Sequence, residues 1–171
     1  MTSFRPIALA LGAAATGWCA LHWMPSLELA VFARGAAQLA GVLTGSPVLP
    51  RDAGWLLPAA PEPIAVTAAC SATDFFLMLA ALLGWQLART RLPALPALVA
   101  AVVVALPLTL FVNALRLVAV AAAHRWFIPL LPATYSAFLH LLVGAAGFLP
   151  ALVACNLALE FHARHRPTPR T

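Results

Sequence analysis

The chain has no lysine and little charge of either sign: ten arginines and five acids in 171 residues, or 9% charged, against 63% hydrophobic residues and a mean hydropathy of +0.94. So few ionised side chains cannot cover the surface of a soluble domain of this length. The composition therefore describes an integral membrane protein. In a soluble protein a net charge of +5 would suggest a nucleic-acid partner, but here the arginines act as topology signals and no nucleic acid is expected. Cysteine is scarce too. Cys19, Cys70 and Cys155 are far apart, in or beside apolar runs, which excludes a disulfide framework and a zinc pattern. Neither H-E-x-x-H spacing nor a cluster of carboxylates is present, so no metal or other cofactor is expected. There is no internal repeat, and the biased stretches are Ala/Leu membrane sequence and a short polar tail.

What is present is long apolar runs. A hydrocarbon core about 30 Å thick needs roughly 20 residues of helix, and four segments qualify, at about 6–24, 71–88, 96–123 and 132–160. The first follows Arg5 and is too long for a signal-peptide core, with no small-residue cleavage site after it, so it reads as an uncleaved anchor. Between the first and second spans, residues 25–70 form the outer segment. Its first part, from a possible N-cap at Ser26 to a glycine stop at Gly45, has helical periodicity but carries Glu28, Arg34 and Gln38, which suits an amphipathic interfacial helix better than a span. The remainder, "SPVLPRDAGWLLPAAPEPIAVTAAC", combines five prolines with short β-type runs and predicts an extended loop or hairpin in water. The fold class is thus all-α, a polytopic helical bundle of one membrane domain over 1–163, with a basic tail at 164–171.

Arginine distribution assigns the sides. Arg5, Arg89, Arg91, Arg164, Arg166 and Arg170 share one face, whereas Arg34, Arg51 and Arg125 are mixed with Glu28, Asp52 and Glu62 on the other. Both termini are then cytoplasmic in a multi-pass protein of the cytoplasmic (inner) membrane, with residues 25–70 outside.

In this frame the costly side chains fall near the outer leaflet. Cys70 opens the second span, Arg116 lies roughly 10 Å inside the third, and His140 lies on the order of 12 Å inside a fourth helix counted from Pro132. A buried arginine costs at least about 2.5 kcal/mol and should face partners in the bundle. Asn113 and Thr109 precede it at i−3 and i−7, on the same face. Plainer roles exist for each residue. Ser71 and Asp74 have capping-box spacing, Cys70 can be a small buried hydrophobe, and Gly144 and Gly147 can serve helix packing around His140.

"AACSA" after a proline-rich outer segment, "NALR" late in an apolar helix and "LHLLVGAAGFL" opening a later span resemble, in order and spacing, the exosortase/archaeosortase family of membrane cysteine transpeptidases. With the upstream "GVLTGSPV" the resemblance covers roughly residues 26 to 150, in a compact form without extra N-terminal spans, similar to exosortase K. It implies Cys70 as nucleophile, with Arg116 and His140 completing the catalytic set; beside it, the chemistry of the residues makes Asn113 a support that steers Arg116, and Asp74 either a helix cap or a support that orients Arg116 or His140. One position departs: many members have Ser-Gly after the cysteine, and here Ala72 follows Ser71.

The implied chemistry suits the residues. A thiol ahead of a helix N-terminus and near a guanidinium is favoured as thiolate. Arg116 suits an oxyanion, and His140 can protonate the leaving amine and later deprotonate the acceptor. The implied partners are secreted proteins with a C-terminal sorting motif, an apolar helix and a basic tail, together with membrane lipid. Two other classes fit the composition, a non-enzymatic assembly or scaffold subunit and a small transporter subunit. The polar residues cluster in one leaflet and no inverted repeat is visible, which argues against transport.

Overall fold

The computed structural model describes residues 5–58, 63–89, 93–127, 130 and 135–164. The start of the fourth span at Pro132, Arg91, Glu62 and the tail from residue 165 lie outside the described residues. The element order is α1 (Arg5–Trp23), α2 (Pro25–Leu27), a π-helical turn (Glu28–Ala33), α3 (Arg34–Thr44), β1 (Leu49–Arg51), β2 (Gly54–Leu57), β3 (Ile64–Val66), a 3₁₀ turn (Ala68–Cys70), α4 (Thr73–Ala88), α5 (Ala94–Phe127) and α6 (Ser136–Arg164). Three stretches, Ala68–Ala88, Ala94–Phe127 and His140–Phe161, are long and apolar enough to cross a membrane, and a bent pair, Ala10–Trp23 with Glu28–Thr44, makes up to four. The fold is a multi-pass helical bundle. Its outward faces are apolar, as lipid demands: Val103, Phe111, Leu141, Leu149 and Leu157 are all exposed.

Two cores hold it together. In one, Phe75, Leu79 and Leu83 of α4 pack on Ala101, Ala105 and Val112 of α5, with Phe148, Leu152 and Cys155 of α6 closing the side. In the other, the end of the π turn and α3 lay a row of small residues (Ala33, Ala36, Ala37, Ala40) with the sheet's Leu57, Ile64 and Val66 against Ala114, Leu117 and Val120 of α5. The small row lets the α3 backbone approach α5 closely, a packing mode suited to membrane helices. Helix α5 spans 34 residues, about 51 Å at 1.5 Å per residue, well beyond an apolar layer about 30 Å thick. Its second half therefore needs cover, and α3 with the sheet supply it. The helix runs unbroken through Pro107.

Two features of the outer segment differ from the sequence expectation. Ser26 is inside α2 and caps nothing, because the helical path from Pro25 to Thr44 is continuous through the π turn at Glu28–Ala33. Arg34 closes that turn and stacks its guanidinium over Trp55, 5.1 Å from the ring centroid. The stop at Gly45 is as expected, left-handed at φ 66°. The Pro-rich remainder is more than a loop or hairpin. It is a three-stranded antiparallel sheet in the order β1-β2-β3, with Arg51 paired to Gly54 across a two-residue turn and Trp55 to Val66. Pro50 is accommodated because β1 is an edge strand. Gly54 is obligatory at its φ of 149°, since a Cβ there would stand 2.2 Å from the Val66 carbonyl oxygen.

Candidate functional site

Cys70 ends the 3₁₀ turn that carries the chain from β3 to α4. Its thiol is half-buried and donates a long bond, 3.9 Å, to the Ala65 carbonyl. Its own carbonyl is held from the other side. Asn113 Nδ2, on a fully buried side chain of α5, donates to the Cys70 oxygen at 2.6 Å, and Asn113 Oδ1 accepts from Arg116 Nη1 at 3.5 Å. One carboxamide thus joins the cysteine turn to the guanidinium. Thr109, one turn below Asn113, is fully buried, so the stripe of Thr109, Asn113 and Arg116 faces inward as their spacing predicts.

Arg116 is accommodated by three further features. Its guanidinium carbon lies 5.3 Å from the Phe148 ring centroid, and Phe148 in turn stacks on Phe75 at 4.7 Å. Gly144 leaves the room it needs, because a Cβ there would be 3.2 Å from Arg116 Nε. Arg116 also forms part of the wall of a largely apolar cavity of about 390 Å³ between α5 and α6, with Leu115, Ala119, Ala146 and Gly147. Its Nε is buried with no hydrogen-bond acceptor, and an unmade charge-assisted bond is the costlier kind.

His140 is placed differently from the expectation of a single layer. The described part of α6 runs from Ser136, with His140 four residues on. There His140 Nε2 meets His124 Nε2 of α5 at 2.8 Å, with the rings edge-to-face at 88°. His124 is eight residues beyond Arg116, about 12 Å along the helix axis. The imidazole pair therefore stands about two turns nearer the end of the bundle than Arg116. Among the described residues no hydrogen bond joins His140 to Cys70 or Arg116.

Asp74 is not part of a capping box. Helix α4 starts at Thr73 behind Ala72, which has left-handed φ 60°, ψ 29°, and no side chain caps it. Ser71 instead donates to Glu28 Oε1, which also accepts from Thr73 Oγ1 at 2.8 Å. Asp74 is exposed and lines a cavity of about 230 Å³ on the α1 side, with Trp18, His22 and Glu28. Among the described residues no hydrogen bond joins it to Arg116 or His140.

Three contributors escaped the sequence reading. Glu28, on the π turn, fixes the residues flanking Ala72. His124 binds His140, and Phe148 lies under Arg116. Glu28 left one signal, since a carboxylate in an apolar helix must find donors. The other two follow from hairpin symmetry: His124 and His140 are each eight residues from position 132, and Arg116 and Phe148 each sixteen. Searches of protein families, curated proteins and solved structures find no match to this chain.

Proposed function

We propose that the protein is a membrane-embedded cysteine peptidase or transpeptidase of the exosortase/archaeosortase kind, with Cys70 as nucleophile and Arg116 and His140 as its partners. The observation that carries the reading is the Asn113 bridge, which ties the Cys70 carbonyl to α5 and shares its other end with Arg116. A cysteine kept only for packing needs no such fixture. The orphaned Arg116 Nε adds to it, as a buried cationic donor free to receive a developing oxyanion. Attack of the Cys70 thiolate on a peptide carbonyl forms a tetrahedral oxyanion. Its collapse leaves a thioester and an amine, which takes its proton from His140. An acceptor then gives a proton to His140, attacks the thioester and frees the thiolate.

The family resemblance, taken with a multi-pass membrane setting, supports one substrate class: a secreted protein anchored by a C-terminal apolar helix and cut on the outer side, with both enzyme termini cytoplasmic. The mechanism is tested by trapping. Wild-type protein given such a substrate without acceptor should accumulate a thioester that hydroxylamine releases as a hydroxamate, and Cys70→Ser should form none. An adduct that persists without Cys70 sinks the nucleophile assignment. Sidedness is tested with an impermeant thiol reagent in a Cys70→Ala background. Asp52→Cys should label from outside and Arg89→Cys should not; the opposite pattern inverts the site.

A further inference from the structure

The imidazole pair has no role in the mechanism as stated, which uses only one of its members. The distance limits what the pair can be. Two imidazoles sharing a tetrahedral zinc ion at about 2.0–2.1 Å each would have their nitrogens about 3.3 Å apart. The observed 2.8 Å is the separation of a direct N–H···N hydrogen bond. One Nε2 must therefore carry a proton and the other a lone pair, so each ring is restricted to a defined tautomer.

We infer that His124 is a positioning residue for the proposed acyl transfer, accepting a hydrogen bond from His140 Nε2–H and thereby reserving His140 Nδ1 for the reacting proton. The inference rests on the function proposed above and adds to it the nitrogen that works and the residue that selects it. Through the cycle the Nε2–H···Nε2 bond stays in place. Imidazolium His140 gives its Nδ1 proton to the departing amine as the tetrahedral oxyanion, its C–S bond already formed, collapses and the C–N bond breaks. Neutral His140 then takes a proton on Nδ1 from the acceptor as the new acyl bond forms and the C–S bond breaks. His124 stays neutral throughout, with its proton on Nδ1. The placement of His124 suits a positioning role. His124 belongs to α5, the helix that also carries Asn113 and Arg116, so one rigid element sets the thiol's carbonyl, the guanidinium and the imidazole. The imidazolium form gains most, since a charged donor makes the stronger bond.

The test uses the full-length protein in lipid vesicles, with ¹⁵N-labelled histidine. A nitrogen–nitrogen coupling across the hydrogen bond should join two ring nitrogens, be lost in both His124→Gln and His140→Gln, and connect a protonated Nε2 on His140 to a bare Nε2 on His124. A proton on His124 Nε2 in the neutral pair, or no coupling at all, overturns the inference. Cleavage supplies the second readout. His124→Leu should lose roughly 10²-fold in rate, within the range of general acid–base contributions, whereas His124→Gln, whose Oε1 can accept the same bond, should recover most of it. Equal activity of the Leu and Gln variants, both folded, also overturns it. Activity that survives Cys70→Ala would instead remove the proposed function, while the spectra would still decide the tautomers.

Discussion

Two polar contacts near the two ends of α4 are built to different standards. Beyond the middle of α4, buried Gln86 donates from Nε2 to Asn156 Oδ1 of α6 at 3.0 Å, and Asn156 passes its own donor to Glu160 at 3.2 Å. Donors and acceptors follow one another in a chain, side chain to side chain. At the start of α4 the corresponding contact runs from a side chain to the backbone of a cysteine, then to a guanidinium that keeps a buried donor without acceptor. The first arrangement is what helix packing asks for in lipid. The second retains an unmade bond that packing alone would remove, as expected of a place where a ligand supplies the missing partner.

Substitutions can break this contrast. The largest effect is expected from Cys70→Ala, which should abolish the thioester and lower cleavage by about 10³-fold or more while leaving the helical content unchanged. A loss confined to stability would place the thiol end in the same category as Gln86. Next is Arg116→Lys, expected to cost on the order of 10²-fold in rate because an ammonium cannot reproduce the fork that meets both Asn113 and an oxyanion. Near-wild-type turnover would mean that bulk charge suffices.

The remaining tests measure stability. Gln86→Leu should cost about 0.6 kcal/mol in unfolding measurements, the mean of interhelical hydrogen bonds in membranes, with the cleavage rate unchanged; a rate loss would dissolve the distinction between the two ends. Ala72→Gly should raise stability by about 0.5–1 kcal/mol, since the left-handed backbone there opposes a Cβ. The smallest effect belongs to Asp74→Asn, within about 0.5 kcal/mol, because the carboxylate is exposed and caps nothing.

How much of this was legible divides by the range of the physics involved. Helical spans depend on local apolar runs, and α1, α4 and α5 lie where those runs place them. The inward stripe of Thr109, Asn113 and Arg116 was also readable, because its spacing is a property of one helix. The Ser-Gly departure at Ala72 pointed to the one described non-glycine residue with positive φ. Pairings between distant segments were not readable in the same way. Nothing near Pro50 announces a strand, since β1 gains its order from β2. Ser71 and Asp74 had the right spacing for a cap, but Glu28 drew the Ser71 hydroxyl away through a contact spanning 43 residues.

That contact has a consequence for biogenesis. Glu28 leaves the ribosome in an apolar helix with its carboxylate unpaired, and the hydroxyls that bind it, Ser71 and Thr73, are synthesised 43 and 45 residues later. The Cys70 carbonyl waits in the same way for Asn113, another 43 residues on. Each segment must therefore rest at the water–lipid boundary until its successor arrives, and the helix carrying Glu28 cannot settle before α4 has inserted. The order of translation becomes an order of assembly, in which the cysteine turn is fixed only after α5 has been made.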